Sequence, residues 1–334
     1  MPRWLALFVL MLLALAAPAA AQDVLSLGDE EQKDWLTSFV QDRLSTPERQ
    51  IRLSNIDGAL GSDVSIREIT ISDAEGVWLR VNNARLNWNQ AALFTGRLDV
   101  RSLAAESIEY IRNAVPVEGA VDLPSPEAGG FQVPELPVAV IIDELSVPSV
   151  TFGENVFGLG SEISLGGAMS LDGGNLDANL DIVRLDGPGG TLDLDVKYGN
   201  ADSSIDLGLA LVEPENGVIA NLLNIENRPA VTLTIDGSGQ VTDLRTDLTL
   251  QADGRTALSG VATVNQQADG IAVAADLRGP LATLIAEPYR PFFGTETALI
   301  ANGLIRSEGG ISITGLRLTG GQLSLEAAAE TTPD

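Results

Sequence analysis

The chain has 334 residues, enough for one large or two ordinary domains, and 45% of them are hydrophobic although only 4% are aromatic. Its formal net charge of −26 argues against a nucleic-acid-binding surface, which needs clustered basic residues, and lysine occurs only at Lys33 and Lys197. Because the sequence contains no cysteine and no histidine, it excludes disulfides, thiolate chemistry and the usual zinc sites.

The N-terminus has the pattern of an export signal. Arg3 precedes an apolar run from Trp4 to Ala17, and the small residues Ala19–Ala21 fit a cleavage site. Residues 1–21 are therefore predicted to be a signal peptide that is removed. The alternative is a membrane anchor, because the run from Trp4 to Ala21 nearly reaches the roughly 20 residues that a spanning helix needs.

Residues 22–46 are predicted to hold an amphipathic helix, which Thr46-Pro47 ends. Its polar face is acidic, which favours packing on protein over binding at a membrane surface. We expect this helix to cap one end of a β structure through the apolar residues Trp35, Leu36, Phe39, Val40 and Leu44.

From Gln50 onward the hydrophobic pattern has period two, which is typical of strands with one apolar face. We predict a first β repeat unit at residues 47–114, a Pro-rich linker or loop at 115–137 and a continuing β groove at 138–334. The short connections rich in Asn, Asp and Gly predict antiparallel hairpins, and helical crossovers between parallel strands are not expected. At one strand per ~12 residues, the chain would hold about 25 strands.

The stretch from Thr191 to Val212 shows this alternation most clearly. An apolar face of this kind has to be buried, either against a second sheet or by curling of the sheet. The nearly uniform aliphatic positions favour a mainly β fold built from a long, curled antiparallel sheet with an N-terminal amphipathic helix. The groove would be lined by Leu192, Leu194, Val196, Ile205, Leu207, Leu209, Leu211, Val231, Leu233 and Ile235.

No combination of residues indicates catalysis, so we expect neither an enzyme nor a cofactor or metal site. Asn175, Asp177, Asn179 and Asp181 could suggest calcium, but alternate positions on a strand are about 7 Å apart, whereas calcium ligands converge on one ion. A solvated strand face is the favoured interpretation. Paired carboxylates of a polysaccharide hydrolase stay an alternative, although the aromatic residues that bind sugars are scarce.

Four segments in order resemble the N-terminal part of the TamB family, in the AsmA-like clan. They are "IDGALGSDVSIREITISDAEGVWLRVNNARLNWN" (Ile56–Asn89), "LFTGRLDVRSLAAESIEYIR" (Leu93–Arg112), "VPELPVAVIIDEL" (Val133–Leu145) and "RLDGPGGTLDLDVKY" (Arg184–Tyr198). The resemblance covers most of the chain and depends on the order of the segments rather than on any one motif.

The resemblance implies a curled β groove that carries phospholipid, or helps to insert outer-membrane proteins, across the periplasm of a Gram-negative bacterium. It implies an Omp85-type, TamA-like outer-membrane partner, contact with phospholipid acyl chains or outer-membrane protein segments, and association with the inner membrane through the N-terminus. Two features differ from the family pattern. The sequence ends at Asp334, before the family's large C-terminal domain, and Ala19–Ala21 predicts cleavage where family members are anchored.

Two functional hypotheses follow. The first is a cell-envelope translocation and assembly factor with an apolar groove and no enzymatic activity. The alternative is a structural or adhesive secreted β protein with a closed core. They differ in whether residues such as Leu194 and Leu209 are open on one side or covered.

Overall fold

The computed structural model describes residues 45, 49–58, 61–115, 133, 136, 138–157, 160–218, 220, 225–267, 269–285, 287–306 and 310–330. They form two compact units, one within Met1–Ala120 and Glu135–Gly173 and the other within Val121–Pro134 and Gly174–Asp334. The predicted signal segment and the predicted helix, with Trp35, Leu36, Phe39, Val40 and Leu44, lie outside the described residues.

The described residues contain seventeen strands, and the prediction of a mainly β fold with a long antiparallel sheet is confirmed. Apart from the four-residue β5, the strands are 8 to 14 residues long, which is why they are fewer than the expected 25 or so. The first unit contains β1 (Gln50–Asp57), β2 (Asp63–Asp73), β3 (Gly76–Asn89), β4 (Arg97–Ala104), β5 (Ser107–Tyr110), β6 (Ala139–Phe152) and β7 (Ser161–Asp172). The second unit contains β8 (Asn175–Arg184), β9 (Thr191–Gly199), β10 (Ser204–Glu213), β11 (Val231–Gln240), β12 (Asp243–Ala252), β13 (Arg255–Gln267), β14 (Gly270–Gly279), β15 (Thr297–Arg306), β16 (Ile311–Gly320) and β17 (Leu323–Glu330).

Short helical segments occur in the connections. The 3-10 helix η1 (Gln90–Thr95) follows β3. In the first unit, α1 (Glu154–Phe157) joins β6 to β7. In the second unit, η2 (Leu281–Leu284), η3 (Glu287–Tyr289) and α2 (Arg290–Phe293) lie between β14 and β15.

Two strand pairings in the first unit are parallel, contrary to the expectation that the sheet is antiparallel throughout. β4 and β5 both lie parallel to β6, with Leu98 opposite Val140 and Ile108 opposite Val150. The chain between β5 and β6 spans residues 111–138 and includes the Pro-rich segment. A connection of that length meets the requirement of a dozen or more residues between parallel strands.

The apolar face of the first unit is buried. Leu98, Val100, Val140 and Val150 expose at most 2% of their surface, and they come from the central strands β4 and β6. At one end of the same sheet the Trp78 and Tyr110 rings meet edge to face, with centroids 5.7 Å apart. The first unit therefore has the filled core of an ordinary small domain.

The second unit is one antiparallel sheet in which β8 to β17 follow each other in chain order. The connections at one end of these strands are short, at residues 200–203, 241–242, 268–269 and 307–310. Those at the opposite end include two long ones, residues 214–230 and 280–296. We call this second end the long-connection rim.

Candidate functional site

The register of the second unit aligns aliphatic side chains across all ten strands. Residues directly opposite each other in neighbouring antiparallel strands project on the same face of the sheet. Following these pairs from β8 to β17 gives a first row that is aliphatic at every position except one glycine. The row is Leu180, Leu194, Leu209, Ile235, Leu248, Gly260, Leu277, Leu299, Leu318 and Leu325.

Two further rows run beside the first on the same face. The second row is Ala178, Val196, Leu207, Gly237, Thr246, Ala262, Ala275, Ala301, Leu316 and Ala327. The third row is Leu176, Tyr198, Ile205, Gly239, Leu244, Val264, Val273, Gly303, Ile313 and Ala329. No residue of the three rows is charged, and we call these positions the apolar face. With nine strand steps of ~4.8 Å, the face extends over about 43 Å.

The apolar face is only partly covered. Leu180, Leu194, Leu209, Ile235 and Leu248 are all half-buried, although they lie in the middle of their strands. Exposure varies over the face: Tyr198, Leu244 and Leu277 are buried, whereas Val273 is 36% and Leu325 48% exposed. Val100 in the core of the first unit is fully buried. The described residues thus leave on the second unit an aliphatic surface that a packed second layer would have hidden.

The ten residues predicted to line a groove all project on this side of the sheet. Leu194, Leu209 and Ile235 belong to the first row, Val196 and Leu207 to the second, and Ile205 to the third. Leu192, Leu211 and Leu233 form a further row beside the first, together with Ile182 and Leu250. Val231 lies at the long-connection rim opposite Glu213 and is 1% exposed, so it is a buried end residue rather than part of the open surface.

Two glycines allow neighbouring strands to approach closely on the apolar face. A Cβ at Gly260 would lie 2.0 Å from the Asp276 carbonyl oxygen and 2.9 Å from the Leu277 Cα. A Cβ at Gly237 would lie 2.4 Å from the Thr246 Cγ2. The neighbouring strand occupies the space where a side chain would stand, so these two positions require glycine. The hydrophobic alternation of the sequence does not identify these two glycines, because only the strand register shows that they face the aliphatic side.

The second row forms a lane of small side chains over five consecutive strands. Gly237, Thr246, Ala262, Ala275 and Ala301 succeed one another from β11 to β15. Larger residues flank the lane, among them Ile235, Leu248, Leu277 and Leu299 on one side and Leu244, Val264 and Val273 on the other. The result is a shallow track about 19 Å long that runs across the strands.

The opposite face is polar and acidic. Asn175, Asp177, Asn179 and Asp181 are all exposed along β8, and Lys197 on β9 lies 3.7 Å from the Asp177 carboxylate. Around Gly208 an open depression is ringed by Asp195, Asp206, Asp236, Asp247, Lys197 and Arg245. Within the described residues no group of three or more acidic side chains is arranged to hold a metal ion. The polar face accordingly keeps this side of the sheet hydrated.

Among the described residues, the charged groups Arg184, Asp186 and Glu213 lie beside the aliphatic rows at the long-connection rim. The Arg184 guanidinium donates to both Asp186 carboxylate oxygens, at 3.1 and 3.0 Å, and this hydrogen bonding raises the pKa of Arg184. The Glu213 carboxylate is buried and accepts a hydrogen bond from the Val218 amide at 3.0 Å. At the other end of the rows, burial raises the pKa of the Tyr198 phenol. The three rows therefore carry no charged group, and the charged groups beside them lie at the border of the face.

Comparison of the chain with protein-family models, with curated proteins and with solved structures found no match in any of the three. In the part of the chain that the structure describes, no helix has the length and apolarity needed to cross a membrane.

Proposed function

We propose that this chain is a TamB-like translocation and assembly factor of the cell envelope, which holds acyl chains of phospholipids on the apolar face of its second unit. The single observation that carries the proposal is the register, which places thirty uncharged, mostly aliphatic positions on one half-exposed face. Hydrocarbon binds favourably to such a surface, because each methylene moved out of water gains about 0.8 kcal/mol.

Acyl chains fit this face better than a polypeptide segment does. A bound peptide brings backbone N–H and C=O groups that need hydrogen-bond partners once they leave water. Among the thirty positions, side-chain hydrogen-bonding groups occur only on Thr246 and Tyr198, and the Thr246 hydroxyl already donates to the Ala262 carbonyl at 3.2 Å. Acyl chains make no such demand. The second form of the proposal is that this chain, together with an Omp85-type partner, helps to insert outer-membrane protein segments.

The buried first unit supports a different role for that part of the chain. Its apolar face is filled, as Val100 and Val140 show, so it offers no comparable surface for a ligand. This burial is what a structural or adhesive protein with a closed core would show. We propose that the first unit is a structural element and that transport belongs to the second.

Extraction of the purified chain and mass spectrometry of the extract test the proposal directly. Phospholipid should co-purify, and photocrosslinkers placed at Leu194 or Leu209 should become attached to it. Leu209→Asp puts a charge in the first row and should abolish the bound lipid. Val212→Asp is the matched control, because Val212 lies on the same strand with its side chain 47% exposed on the opposite face. Lipid-free protein from every preparation, with no crosslinks, would refute the proposal.

A further inference from the structure

Two oppositely charged residues end the aliphatic alternation at the long-connection rim. Arg184 follows Ile182 at the next position on the apolar side of β8, and Glu213 follows Leu211 in the same way on β10. Between them lies Gly190, whose carbonyl accepts a hydrogen bond from the Arg184 amide at 2.8 Å. A Cβ on Gly190 would lie 3.7 Å from the Glu213 Cγ, so only a glycine stands between the two charged residues. The border of the aliphatic rows therefore carries one cation and one anion on neighbouring positions of the same face.

The hydrogen bonding of the Arg184 guanidinium is incomplete. Its side chain is only 9% exposed, and Nε and Nη2 both donate to the Asp186 carboxylate. The third nitrogen, Nη1, is buried and has no hydrogen-bond partner among the described residues. A buried N–H group without an acceptor is unfavourable, and more so when it belongs to a charged group. An acceptor from outside the described residues would complete this site.

A second pair of the same kind on the polar face makes the difference clear. Arg278 donates to both Asp276 carboxylate oxygens, at 2.9 and 3.1 Å, with the same two-residue separation. Because Arg278 is adjacent to Leu277 on β14, it projects to the polar face, and its side chain is 60% exposed. Water can satisfy its remaining donors. Arg184 holds the same fork on the apolar side of the sheet, where Nη1 has no access to water.

We infer that Arg184 binds the phosphate of a zwitterionic phospholipid headgroup, whose acyl chains lie on the aliphatic rows beside it. The inference rests on the proposed function, because it names the headgroup class of the lipid held on the same face. Phosphate oxygens are acceptors that a guanidinium binds strongly.

The charges around Arg184 select the headgroup. Glu213 lies close enough to interact with the Arg184 charge, and Asp186 is hydrogen-bonded to it. The three residues together carry one formal positive and two formal negative charges. A headgroup with a net negative charge is therefore disfavoured, whereas phosphoethanolamine brings an ammonium group together with its phosphate and matches both signs.

The experiment compares the binding of pyrene-labelled phosphatidylethanolamine, phosphatidylglycerol and diacylglycerol, all with the same acyl chains, to the full chain. The wild type should bind phosphatidylethanolamine about five-fold more tightly than phosphatidylglycerol and about ten-fold more tightly than diacylglycerol, which has no phosphate. Arg184→Gln should abolish the advantage over diacylglycerol and leave the affinity for diacylglycerol unchanged. Arg278→Gln is the matched control, because it removes the same charge and the same kind of pair from the polar face, and it should bind all three lipids as the wild type does.

Glu213→Gln tests the charge selection without altering Arg184. The glutamine keeps an acceptor oxygen for the Val218 amide and removes one negative charge. It should reduce the preference for phosphatidylethanolamine over phosphatidylglycerol to about two-fold or less. An unchanged preference would overturn the charge selection, and this variant keeps the inference testable even where Arg184→Gln folds poorly.

The outcomes separate the headgroup site from the function on which it rests. Equal affinities of the wild type for all three lipids, or a headgroup preference that persists in Arg184→Gln, overturn the headgroup site while acyl-chain binding stands. No binding of any lipid, diacylglycerol included, overturns the proposed function itself. Inorganic phosphate distinguishes a lipid headgroup from a free anion. If phosphate raised the thermal stability of the wild type but not of Arg184→Gln, and the lipids showed no headgroup preference, Arg184 would bind a free anion and the lipid site would be overturned.

Discussion

Gly260 and Leu277 lie directly opposite each other in β13 and β14, so close that a Cβ on Gly260 would lie 2.9 Å from the Leu277 Cα. Real side chains do not tolerate such a distance, and the second contact, 2.0 Å to the Asp276 carbonyl oxygen, is to backbone that cannot rotate away. This pair interrupts the first row of the apolar face with its one glycine.

Gly260→Ala should therefore destabilise the protein by about 2–4 kcal/mol, because the two strands have to separate to admit the methyl group. Denaturant unfolding followed by circular dichroism measures the change. Gly208→Ala is the control, since a Cβ there would meet the Asp195 Cβ at an ordinary 3.9 Å. It should alter the free energy of unfolding by less than about 0.5 kcal/mol. Equal effects of the two substitutions would contradict the close approach at Gly260.

Filling the lane of small side chains should block binding without unfolding the protein. Ala275→Phe places a ring between Ala262 and Ala301, on a half-buried surface that has room for it. Losing contact with two or three methylenes of ~0.8 kcal/mol each should weaken acyl-chain binding about ten-fold or more. Fluorescence titration of the protein with a pyrene-labelled phosphatidylcholine measures the affinity for the acyl chain.

Ala274→Phe is the matched control for the lane, because Ala274 is the adjacent residue on β14 and projects to the polar face. It should leave the affinity unchanged. Both variants should keep the free energy of unfolding within about 1 kcal/mol of the wild type. If Ala274→Phe weakened binding as much as Ala275→Phe, the bound chain would not lie on the apolar face.

A buried ion pair in the first unit should make stability depend on acidic pH. Asp73 accepts hydrogen bonds from the Arg112 guanidinium, the Val115 amide at 2.8 Å and the Glu75 amide at 2.8 Å. The bonds from Arg112 are the largest of the causes that hold the pKa of Asp73 well below its ordinary range. In the unfolded chain an aspartate has its ordinary pKa of about 3.9.

Since the folded pKa of Asp73 is the lower one, its contribution to stability is complete above the unfolded pKa and disappears as pH falls through the folded pKa. Asp73→Asn should therefore destabilise the protein at pH 7, and the difference from the wild type should shrink progressively below about pH 4. Thermal unfolding from pH 7 down to pH 2.5 measures this. A difference that stays constant over the whole range would mean that the Asp73 charge has no part in stability.

Alternation in the sequence predicts which residues share a face, but not which strands pair or what covers the face. The alternation is clearest from Thr191 to Val212, and β9 and β10 occupy that stretch. The strands β7, β13 and β15 are less evident, because glycines such as Gly167, Gly260 and Gly303 interrupt their apolar positions. Glycine is needed where two backbones approach closely, and at those positions it weakens the alternation of apolar and polar residues.

The parallel pairing of β4 and β5 with β6 depends on the path of residues 111–138, which hydrophobic periodicity does not record. The two units show most clearly that hydrophobic periodicity does not predict which apolar faces are covered. Ile66, Ile69 and Ile71 in β2 and Leu192 and Leu194 in β9 follow comparable patterns, yet the first three are buried and the other two half-buried. The difference arises from long-range packing, and only three-dimensional structure reveals it.

Single cysteines should distinguish the open second unit from the closed first unit, because the natural sequence has no cysteine to interfere. Leu194→Cys places a thiol on the half-buried apolar face, whereas Val100→Cys places one in a fully buried core. We expect an apolar maleimide to modify the thiol at position 194 at least about ten times faster, since buried thiols are inert. Bound phospholipid should slow that modification and leave the rate at position 100 unchanged. Equally slow modification at both positions would show that protein covers the face, and the closed-core alternative would then be the better account of the whole chain.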